Sequence, residues 1–277
     1  MSKKKISLSY IGMEIIIAFT LIISIFPLLW VMLSSFKTNA EILEGPFTLP
    51  HQFNFDAFKY LFTNYNFLQY FINSVYVTVL SVVISLVIFT MAGYVLAKFN
   101  FKGKMLIFGL LMITMLVPGY SKTQPLFQMI TDMGLYDTKE GLILVYISNG
   151  MATSVFLLKN AFQSLPKELS ESARLDGAGF FRTFFSINLP LIKSALATAG
   201  ILMFLGNWNE YYFASILITS EFNNTLPIIT MSFTSKFSYN YTLMFAAITL
   251  VILPGLIIYA IAQEQVQASL ASSGIKG

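Results

Sequence analysis

The polar stretch ESARLDGAGFFRTFFSINLP, residues 171–190, interrupts a chain that is otherwise very apolar. It contains four charged side chains, Glu171, Arg174, Asp176 and Arg182, and it lies between two long apolar segments. The whole chain of 277 residues is 56% hydrophobic and only 11% charged, whereas soluble domains carry about 25% charged residues. This composition predicts an integral membrane protein, and the polar stretch is then a connection between two membrane-spanning segments.

Six apolar segments are predicted to cross the membrane as helices, which gives an all-α, polytopic protein with a single transmembrane domain over residues 1–277. The third segment is interrupted at Pro118 and Gly119, before it reaches the ~20 residues that a helical span requires. The segments cover approximately residues 10–36, 68–97, 105–117, 141–158, 191–218 and 241–262.

The lysines and arginines predict the orientation of these six spans. An even number of spans places both termini on one side, and 12 of the 17 Lys and Arg residues lie on that side. The other five are Lys37, Lys59, Lys122, Lys139 and Lys236. Because basic residues accumulate in cytoplasmic loops, both termini are predicted to be cytoplasmic. Residues 164–190 then form the longest cytoplasmic loop.

The sequence argues against several functional classes. It has no cysteine and a lone His51, so disulfides, thiolate metal sites and thiol nucleophiles are excluded and no metal site is predicted. It has no G-x-x-x-x-G-K-[ST] motif, so the chain is not expected to hydrolyse ATP through a P-loop. The net charge of +4 is interpreted as orientation in the bilayer rather than as nucleic-acid binding.

Residues 164–190 read as two short helices joined by a turn. Pro166 suits the first turn of a helix and Gly177 suits a helix end. The second helix is predicted to carry four rings on one face, those of Phe180, Phe181, Phe184 and Phe185. On the first helix, Ser170, Ala173 and Gly177 are predicted to form a stripe that a second surface can approach closely. Spacing alone leaves two alternatives open, a helix pair lying on the lipid headgroups and a docking element for a cytoplasmic partner.

The pattern E-S-A-R-L-D-G, residues 171–177, followed by I-N-L-P at residues 187–190 resembles the EAA loop of ABC importer permeases. Ser172 replaces the usual first alanine of that motif, which is a change between small residues. The resemblance extends over nearly the whole chain. It includes YFINS at residues 70–74, AGYVLAKFNFKGK at 92–104, WNEYYFA at 208–214, TLPI at 225–228 and the terminal SSGIKG. The type that it resembles is the smaller permease subunit of maltose and multiple-sugar importers.

This resemblance implies a type I ABC importer permease that moves a sugar, such as an oligosaccharide, into the cytoplasm by alternating access. The loop would be a coupling helix that docks on an ATPase subunit, through Glu171, Ser172, Ala173, Arg174, Asp176, Gly177, Ala178, Phe180, Phe181, Leu189 and Pro190. The C-terminal residues Gly274, Lys276 and Gly277 would also contact the ATPases. The implied partners are a sister permease in a heterodimer, two ATPase subunits that carry ATP and Mg, and an external sugar-binding protein. This chain itself would be non-catalytic and would bind no cofactor.

Two further groups are candidate sites. Asn149, Asn207, Trp208, Asn209 and Glu210 could line the translocation path; the alternatives are a helix–helix hydrogen bond for Asn149 and an interfacial aromatic belt for the others. Polar groups inside a membrane are expected to need a partner, above all the carboxylate of Glu210. The external loop formed by Glu221, Phe222, Asn223, Asn224 and Thr225 corresponds to a family loop that reaches into the binding protein; the alternative is a plain hairpin.

Other functions predict other patterns. An ion-coupled secondary transporter predicts charged pairs near the membrane midplane and internal repeats, and neither is evident in this sequence. A membrane scaffold agrees with the composition but requires no ATPase partner. Within the importer class, a cargo such as a glycerol-phosphate diester is an alternative to a sugar.

Overall fold

The computed structural model describes residues 8–236 and 239–274, and the regular elements in this part of the chain are all helical, which confirms the all-α prediction. The first half contains α1 (Leu8–Ser34), α2 (Asn39–Glu44), α3 (Asp56–Asn64), α4 (Phe67–Lys98), α5 (Lys104–Ile113), α6 (Thr123–Asp132) and α7 (Lys139–Ser148). The second half contains α8 (Met151–Ser164), α9 (Lys167–Leu175), α10 (Phe180–Arg182), α11 (Leu189–Leu191), α12 (Lys193–Trp208), α13 (Tyr212–Leu217), α14 (Leu226–Lys236) and α15 (Tyr241–Gly274). Short 3₁₀ turns occupy Gly119–Lys122 and Glu221–Asn223.

Several of these helices can cross a membrane. In the described residues, Gly12–Ser34, Phe67–Lys98 and Tyr241–Ile261 are each long and apolar enough. Two bent pairs reach that length only together: α7 with α8, bent by 49°, and Phe180–Leu191 with α12, bent by 79°. The chain is therefore a multi-pass membrane protein. The third predicted span corresponds to the short apolar helix α5, so the count of six spans stays a prediction.

The fourth and fifth predicted spans are not continuous helices. The fourth is divided between α7 and α8 because Asn149 is extended and Gly150 adopts a left-handed conformation with φ of +71°. The fifth ends its long helix at Trp208 and resumes as α13 at Tyr212. Non-helical backbone at membrane depth requires partners for its freed polar groups. These two breaks therefore mark places where other side chains must supply hydrogen bonds.

The chain divides into two compact units by its contacts, and the prediction of a single domain over residues 1–277 stays a prediction. In the described parts of residues 1–67 and 230–253, Phe36 packs edge-on against Phe53 and Phe55 at ring distances of 5.5 and 5.2 Å. Lys37, which sequence reasoning treated as an external loop charge, is fully buried there. Its ammonium group donates to the carbonyl oxygen of Gly45 at 3.1 Å and to Thr48 Oγ1 at 3.2 Å.

The second unit, residues 68–229 and 254–277, contains the candidate sites. One apolar cluster joins α4, α8 and α12 to the loop at residues 164–190; its buried members are Val82, Phe89, Tyr94, Leu96, Val155, Leu158, Phe162, Phe184, Ile192, Ala199 and Met203. A second cluster gathers around α7 and α13 and consists of Val77, Ile130, Leu142, Ile143, Val145, Tyr146, Ala214, Leu217 and Ile218. The first cluster holds the predicted coupling loop against three long helices.

Candidate functional site

The predicted coupling loop begins with α9 and ends that helix in a Schellman motif. The backbone N–H of Ala178 donates to the carbonyl of Ala173 at 2.9 Å, and that of Gly177 donates to Arg174 at 3.0 Å. Gly177 has φ of +78°, a conformation that costs a residue with a β-carbon about 1–2 kcal/mol. The predicted helix end at Gly177 is thereby confirmed, and it turns the chain sharply into the second segment.

The prediction that all four phenylalanine rings share one face is wrong. Phe184 is only 3% exposed and its ring centroid lies 4.9 Å from that of Tyr94, whereas Phe180 lies 5.6 Å from the same tyrosine. Phe181 and Phe185 are exposed. Adjacent residues on a helix are rotated by about 100°, so Phe180 and Phe184 both contact Tyr94, although Phe180 stays 43% exposed, while Phe181 and Phe185 are the more exposed pair. Thr183–Asn188 also forms a π-helical turn, which contains Phe184 and Phe185.

The small-residue stripe on α9 is covered by the loop itself, which corrects the interpretation that it leaves room for a partner. Ala173 is 5% exposed. The Ser170 hydroxyl lies 3.4 Å from the amide oxygen of Asn188, on the π-helical turn. Only Gly177 of the three predicted stripe residues is exposed, and a β-carbon there would have no described atom within 4 Å other than those of its chain neighbours. The stripe therefore joins the two halves of the loop.

Most of the predicted coupling residues lie at the surface of the second unit. The exposed members are Glu171, Ser172, Arg174, Asp176, Gly177, Phe180, Phe181 and Pro190; Ala178 and Leu189 are half-buried and Ala173 is buried. Sequence reasoning missed Leu175, whose side chain is 89% exposed at the tip of α9. An exposed leucine at the end of a charged helix is a candidate contact for a partner. In the sequence, Leu175 could have been found as an apolar residue on the polar side of α9, next to Asp176.

Asn207 and Asn149 meet at the break between α7 and α8. The Asn149 Nδ2 donates to Asn207 Oδ1 at 3.1 Å, so the helix–helix hydrogen bond that was the alternative for Asn149 is present. Asn207 is buried, and its Nδ2 donates to Ser81 Oγ at 3.0 Å and to the carbonyl of Tyr146 at 3.3 Å. That carbonyl belongs to the last turn of α7 and also accepts from the backbone N–H of Asn149 at 3.2 Å, so Asn207 adds a second donor to the backbone beside the helix break.

Glu210 occupies the second break, and the chain itself supplies its partners. The Tyr146 hydroxyl donates to Glu210 Oε2 at 2.9 Å. The backbone N–H groups of Phe213 and Ala214 donate to the same carboxylate at 2.8 and 3.0 Å. The side chain therefore satisfies donors at the start of α13 that have no partner within the helix. This arrangement meets the expectation that an intramembrane carboxylate needs a partner.

The two other candidates beside this break differ in environment. Trp208 is almost completely buried and its ring stacks on that of Phe204 at 5.6 Å. It is a core residue rather than a member of an interfacial belt. Asn209 is exposed, and its Nδ2 donates to the carbonyl of Leu205 within its own helix at 2.8 Å.

The external loop is fixed to α4 by hydrogen bonds. The Asn73 Nδ2 donates to the carbonyls of Phe222 and Asn224 at 2.8 and 2.9 Å. The Tyr70 hydroxyl donates to Glu221 Oε1 at 2.7 Å. These bonds leave the Phe222 ring 65% exposed, so the loop presents an aromatic side chain on an ordered backbone. Of the remaining members of the loop, Asn223 is half-buried and Thr225 is buried.

Asp137 fixes the start of the same loop. Its Oδ1 accepts from the backbone N–H groups of Thr219 and Ser220, each at 2.9 Å, and its carbonyl accepts from Asn223 Nδ2 at 2.6 Å. Partial burial of the carboxyl raises its pKa, but the hydrogen bonds from Ser220 and Thr219 outweigh burial and hold the pKa of Asp137 below its usual range. Asp137 also has φ of +58°, a region in which Asp and Asn are enriched.

The sequence analysis did not predict the polar face of α4, whose side chains form hydrogen bonds at these breaks and beside the external loop. Ser74, Thr78, Ser81 and Ser85 follow one another at steps of three or four residues, and all four are buried. Ser74 Oγ accepts from the backbone N–H of Leu226 at 2.8 Å, and Ser85 Oγ donates to the carbonyl of Ile147 at 3.1 Å. Helical periodicity of hydroxyl residues in an apolar segment is the signal that would have found this face.

The predicted C-terminal contact is only partly described. Gly274 is the last residue of α15, and Lys276 and Gly277 lie outside the described residues.

Comparison with known proteins places this architecture among transport proteins. A sequence profile described as "Binding-protein-dependent transport system inner membrane component" matches residues 89–271. The diacetylchitobiose uptake system permease protein NgcG of Streptomyces coelicolor is 35% identical over 252 residues, which cover 90% of this chain and 83% of that protein. The arabinooligosaccharides transport system permease protein AraQ of Halalkalibacterium halodurans is 34% identical over 264 residues, which cover 94% of each protein.

A solved structure shows the same fold. A chain in the crystal structure of a bacterial ABC transporter involved in the import of the acidic polysaccharide alginate aligns with a TM-score of 0.82 and 24% identity. The alignment covers 95% of this chain and 98% of that chain. A likeness at this identity is evidence about architecture.

Proposed function

The chain belongs to the family of binding-protein-dependent transport system inner membrane components, and from this membership we propose that it is the permease subunit of an ATP-driven importer for an oligosaccharide. The cargo is inferred from the two curated relatives, whose names refer to diacetylchitobiose and to arabinooligosaccharides and which cover 90% or more of this chain. The subunit itself is non-catalytic in this proposal and only moves the substrate.

The observation that carries the proposal is the construction of the loop at residues 164–190. Helix α9 is short, ends in a fixed Schellman turn, and presents exposed charged and apolar side chains such as Asp176 and Leu175. The second segment is joined through Phe184 and Tyr94 to the cluster that holds α4, α8 and α12 together. A push on the exposed tip is therefore transmitted to three long helices as a rigid-body movement.

The proposed partners follow from the membership of the family. The sequence contains no P-loop motif, and the EAA-type motif implies two separate ATPase subunits that bind ATP and Mg²⁺ and dock on the loop. A sister permease completes the transport domain as a heterodimer. The excess of Lys and Arg on the side of the termini supports a cytoplasmic location for both termini and for the loop. The anchored loop around Phe222 then faces outward, toward a sugar-binding protein.

Substitutions at Gly177 test the docking role of the loop. Gly177→Asp and Gly177→Asn introduce side chains of equal size, and both tolerate positive φ better than other residues. Among the described residues, apart from the two chain neighbours of Gly177, no atom lies within 4 Å of the added β-carbon, so the two variants start from the same open space. An uncompensated charge buried at an interface costs several kcal/mol. We therefore expect Gly177→Asp to retain at least tenfold less ATPase on the purified complex than Gly177→Asn, with a milder loss for Glu171→Ala.

The matched control is Gly103→Asp. Gly103 also has a positive φ, of +86°, and open space around its β-carbon position, but it lies outside residues 164–190. We expect this variant to keep the ATPase and the sugar-stimulated hydrolysis of the wild type. Equal retention by Gly177→Asp and Gly103→Asp would show that the loop is not the docking element. Uptake driven by a proton or sodium gradient without ATP would refute the importer proposal as a whole.

A further inference from the structure

A cavity of about 450 Å³ lies between the end of α4 and one face of α9. Lys167, Ser170, Glu171 and Arg174 line it from α9, at steps of three or four residues that place them on one face of the helix. Lys98 and Lys104 line it from the other side. Ser172, Leu175 and Asp176 do not line the cavity. The cavity therefore shares Glu171 and Arg174 with the predicted coupling residues, while Ser172, Leu175 and Asp176 remain available to the proposed ATPase contact.

The cavity has a strong excess of positive charge. Its charged lining residues are Lys98, Lys104, Lys167 and Arg174, against the single carboxylate of Glu171. Among the side chains that the structure describes, no carboxylate lies within 4.0 Å of the side-chain nitrogens of these four basic residues. Like charges that surround one space repel each other unless an anion enters it. The lining is therefore complementary to an anionic group.

Two of the ammonium groups are held in place by the backbone. Lys98 Nζ donates to the carbonyl of Leu165 at 3.0 Å, and Lys104 Nζ donates to the carbonyl of Phe99 at 2.9 Å. An ammonium group has three donors, so each lysine keeps donors for another acceptor. Less side-chain entropy is then lost when an anion binds, because the lysines are already ordered.

The position of the cavity identifies the kind of anion. Lys98 ends the membrane-spanning helix α4, and Lys104 begins the apolar helix α5. A second depression beside Lys104 is lined in part by Met105 and Leu106, which are 80% and 68% exposed. Basic pockets at the membrane interface bind anionic lipid headgroups, and the adjoining apolar surface can accept acyl chains. A soluble phosphate would make no use of that apolar surface.

From this geometry we propose that the cavity binds the phosphate group of an anionic phospholipid, whose acyl chains lie along the exposed apolar side of α5. The site differs from the proposed sugar path and from the exposed tip of the loop. Lipid bound there would connect α4, α5 and α9 on one side of the membrane. The inference does not depend on ATP-driven import, because lipid binding is measured on this chain.

The test is lipid binding to the full-length chain, purified in neutral detergent and stripped of lipid. Phosphatidylglycerol and phosphatidylcholine are titrated separately, and bound lipid is counted by native mass spectrometry. We expect stronger binding of phosphatidylglycerol to the wild type. Lys167→Gln/Arg174→Gln removes two charges, neither of which is needed for the backbone contacts of Lys98 and Lys104. At about 1 kcal/mol for each basic residue, this pair should bind phosphatidylglycerol roughly 25-fold more weakly.

Lys102→Gln/Arg182→Gln is the matched control, since it removes the same charge from exposed residues that do not line the cavity. It should bind phosphatidylglycerol within twofold of the wild type. The charge-conserving pair Lys167→Arg/Arg174→Lys should also retain binding, which separates loss of charge from loss of fold.

Equal losses in the test and control pairs would refute a specific site, as would unchanged binding in the test pair. Competition with inorganic phosphate tests whether the cavity binds a soluble anion rather than a lipid. If it displaced phosphatidylglycerol at an equal concentration, the phosphate part of the proposal would stand and the acyl-chain part would be wrong. Equal binding of phosphatidylcholine would contradict recognition of the anion.

Discussion

Glu210 offers the sharpest test of whether the broken fifth span is stabilised by its own side chains. The structure gives the Glu210 carboxylate three donors, the hydroxyl of Tyr146 and the backbone N–H groups of Phe213 and Ala214. Glu210→Ala leaves the two N–H groups without this acceptor, while the Tyr146 hydroxyl keeps its second acceptor, the backbone carbonyl of residue 210, at 3.1 Å. At about 1 kcal/mol net for each of the two lost backbone hydrogen bonds, the loss is about 2 kcal/mol. With roughly 2–3 °C of melting temperature for each kcal/mol in a chain of this size, the expected fall is about 4–6 °C.

The assay is thermal unfolding of the purified chain in detergent, followed by the loss of its monodisperse peak in size-exclusion chromatography. Asn209→Ala is the matched control, because Asn209 is exposed and its side-chain amide donates to the carbonyl of Leu205 in its own helix. That substitution should change the free energy of unfolding by less than about 0.5 kcal/mol. Glu210→Gln keeps one acceptor oxygen and should lie between the two.

A double-mutant cycle with Tyr146→Phe isolates the contact between the two side chains. We expect the second substitution to cost less in the Glu210→Ala background than in the wild type, because the bond from the Tyr146 hydroxyl to the Glu210 carboxylate is already lost. Strict additivity, or an equal effect of Glu210→Ala and Asn209→Ala, would refute the stabilising role. Loss of transport at an unchanged melting temperature would instead assign Glu210 to the lining of the translocation path.

Two other predictions concern the external loop and the coupling loop. Asp137→Asn, in which asparagine tolerates the positive φ of this position, should lower the melting temperature at neutral pH. Because folding lowers the pKa of Asp137, the stabilisation by its carboxylate is present above about pH 4 and should vanish as the pH falls through the lowered pKa. A difference in melting temperature that did not change with pH would contradict the role of the carboxylate. Tyr94→Leu removes the ring that packs on Phe180 and Phe184, and it should lower the free energy of unfolding by about 2 kcal/mol and speed hydrogen exchange in residues 167–190. Phe181→Ala, at an exposed position, should leave hydrogen exchange unchanged. Equal effects of the two substitutions would show that the loop is not anchored through Tyr94.

Much of the architecture could be predicted from the sequence because its causes are local or additive. The excess of apolar residues predicts a membrane protein through the free energy of transfer of each segment. Gly177 predicts the end of α9, since a positive φ is a property of one residue. The motif around Glu171 indicated the family, and Pro118 indicated that the third apolar run is interrupted. None of these inferences requires knowledge of a distant contact.

The tertiary structure alone decided which side chains turn inward and where distant partners meet. Phe181 and Phe184 are the same residue type in the same short segment, but of the two it is Phe184 that packs on Tyr94. Asn207 bonds to Ser81, which lies 126 residues away in the chain, and Asn73 bonds to a loop about 150 residues away. Hydrogen bonds act over about 3 Å, so helical periodicity indicates which residues share a face, while only the packed fold brings that face to its partner.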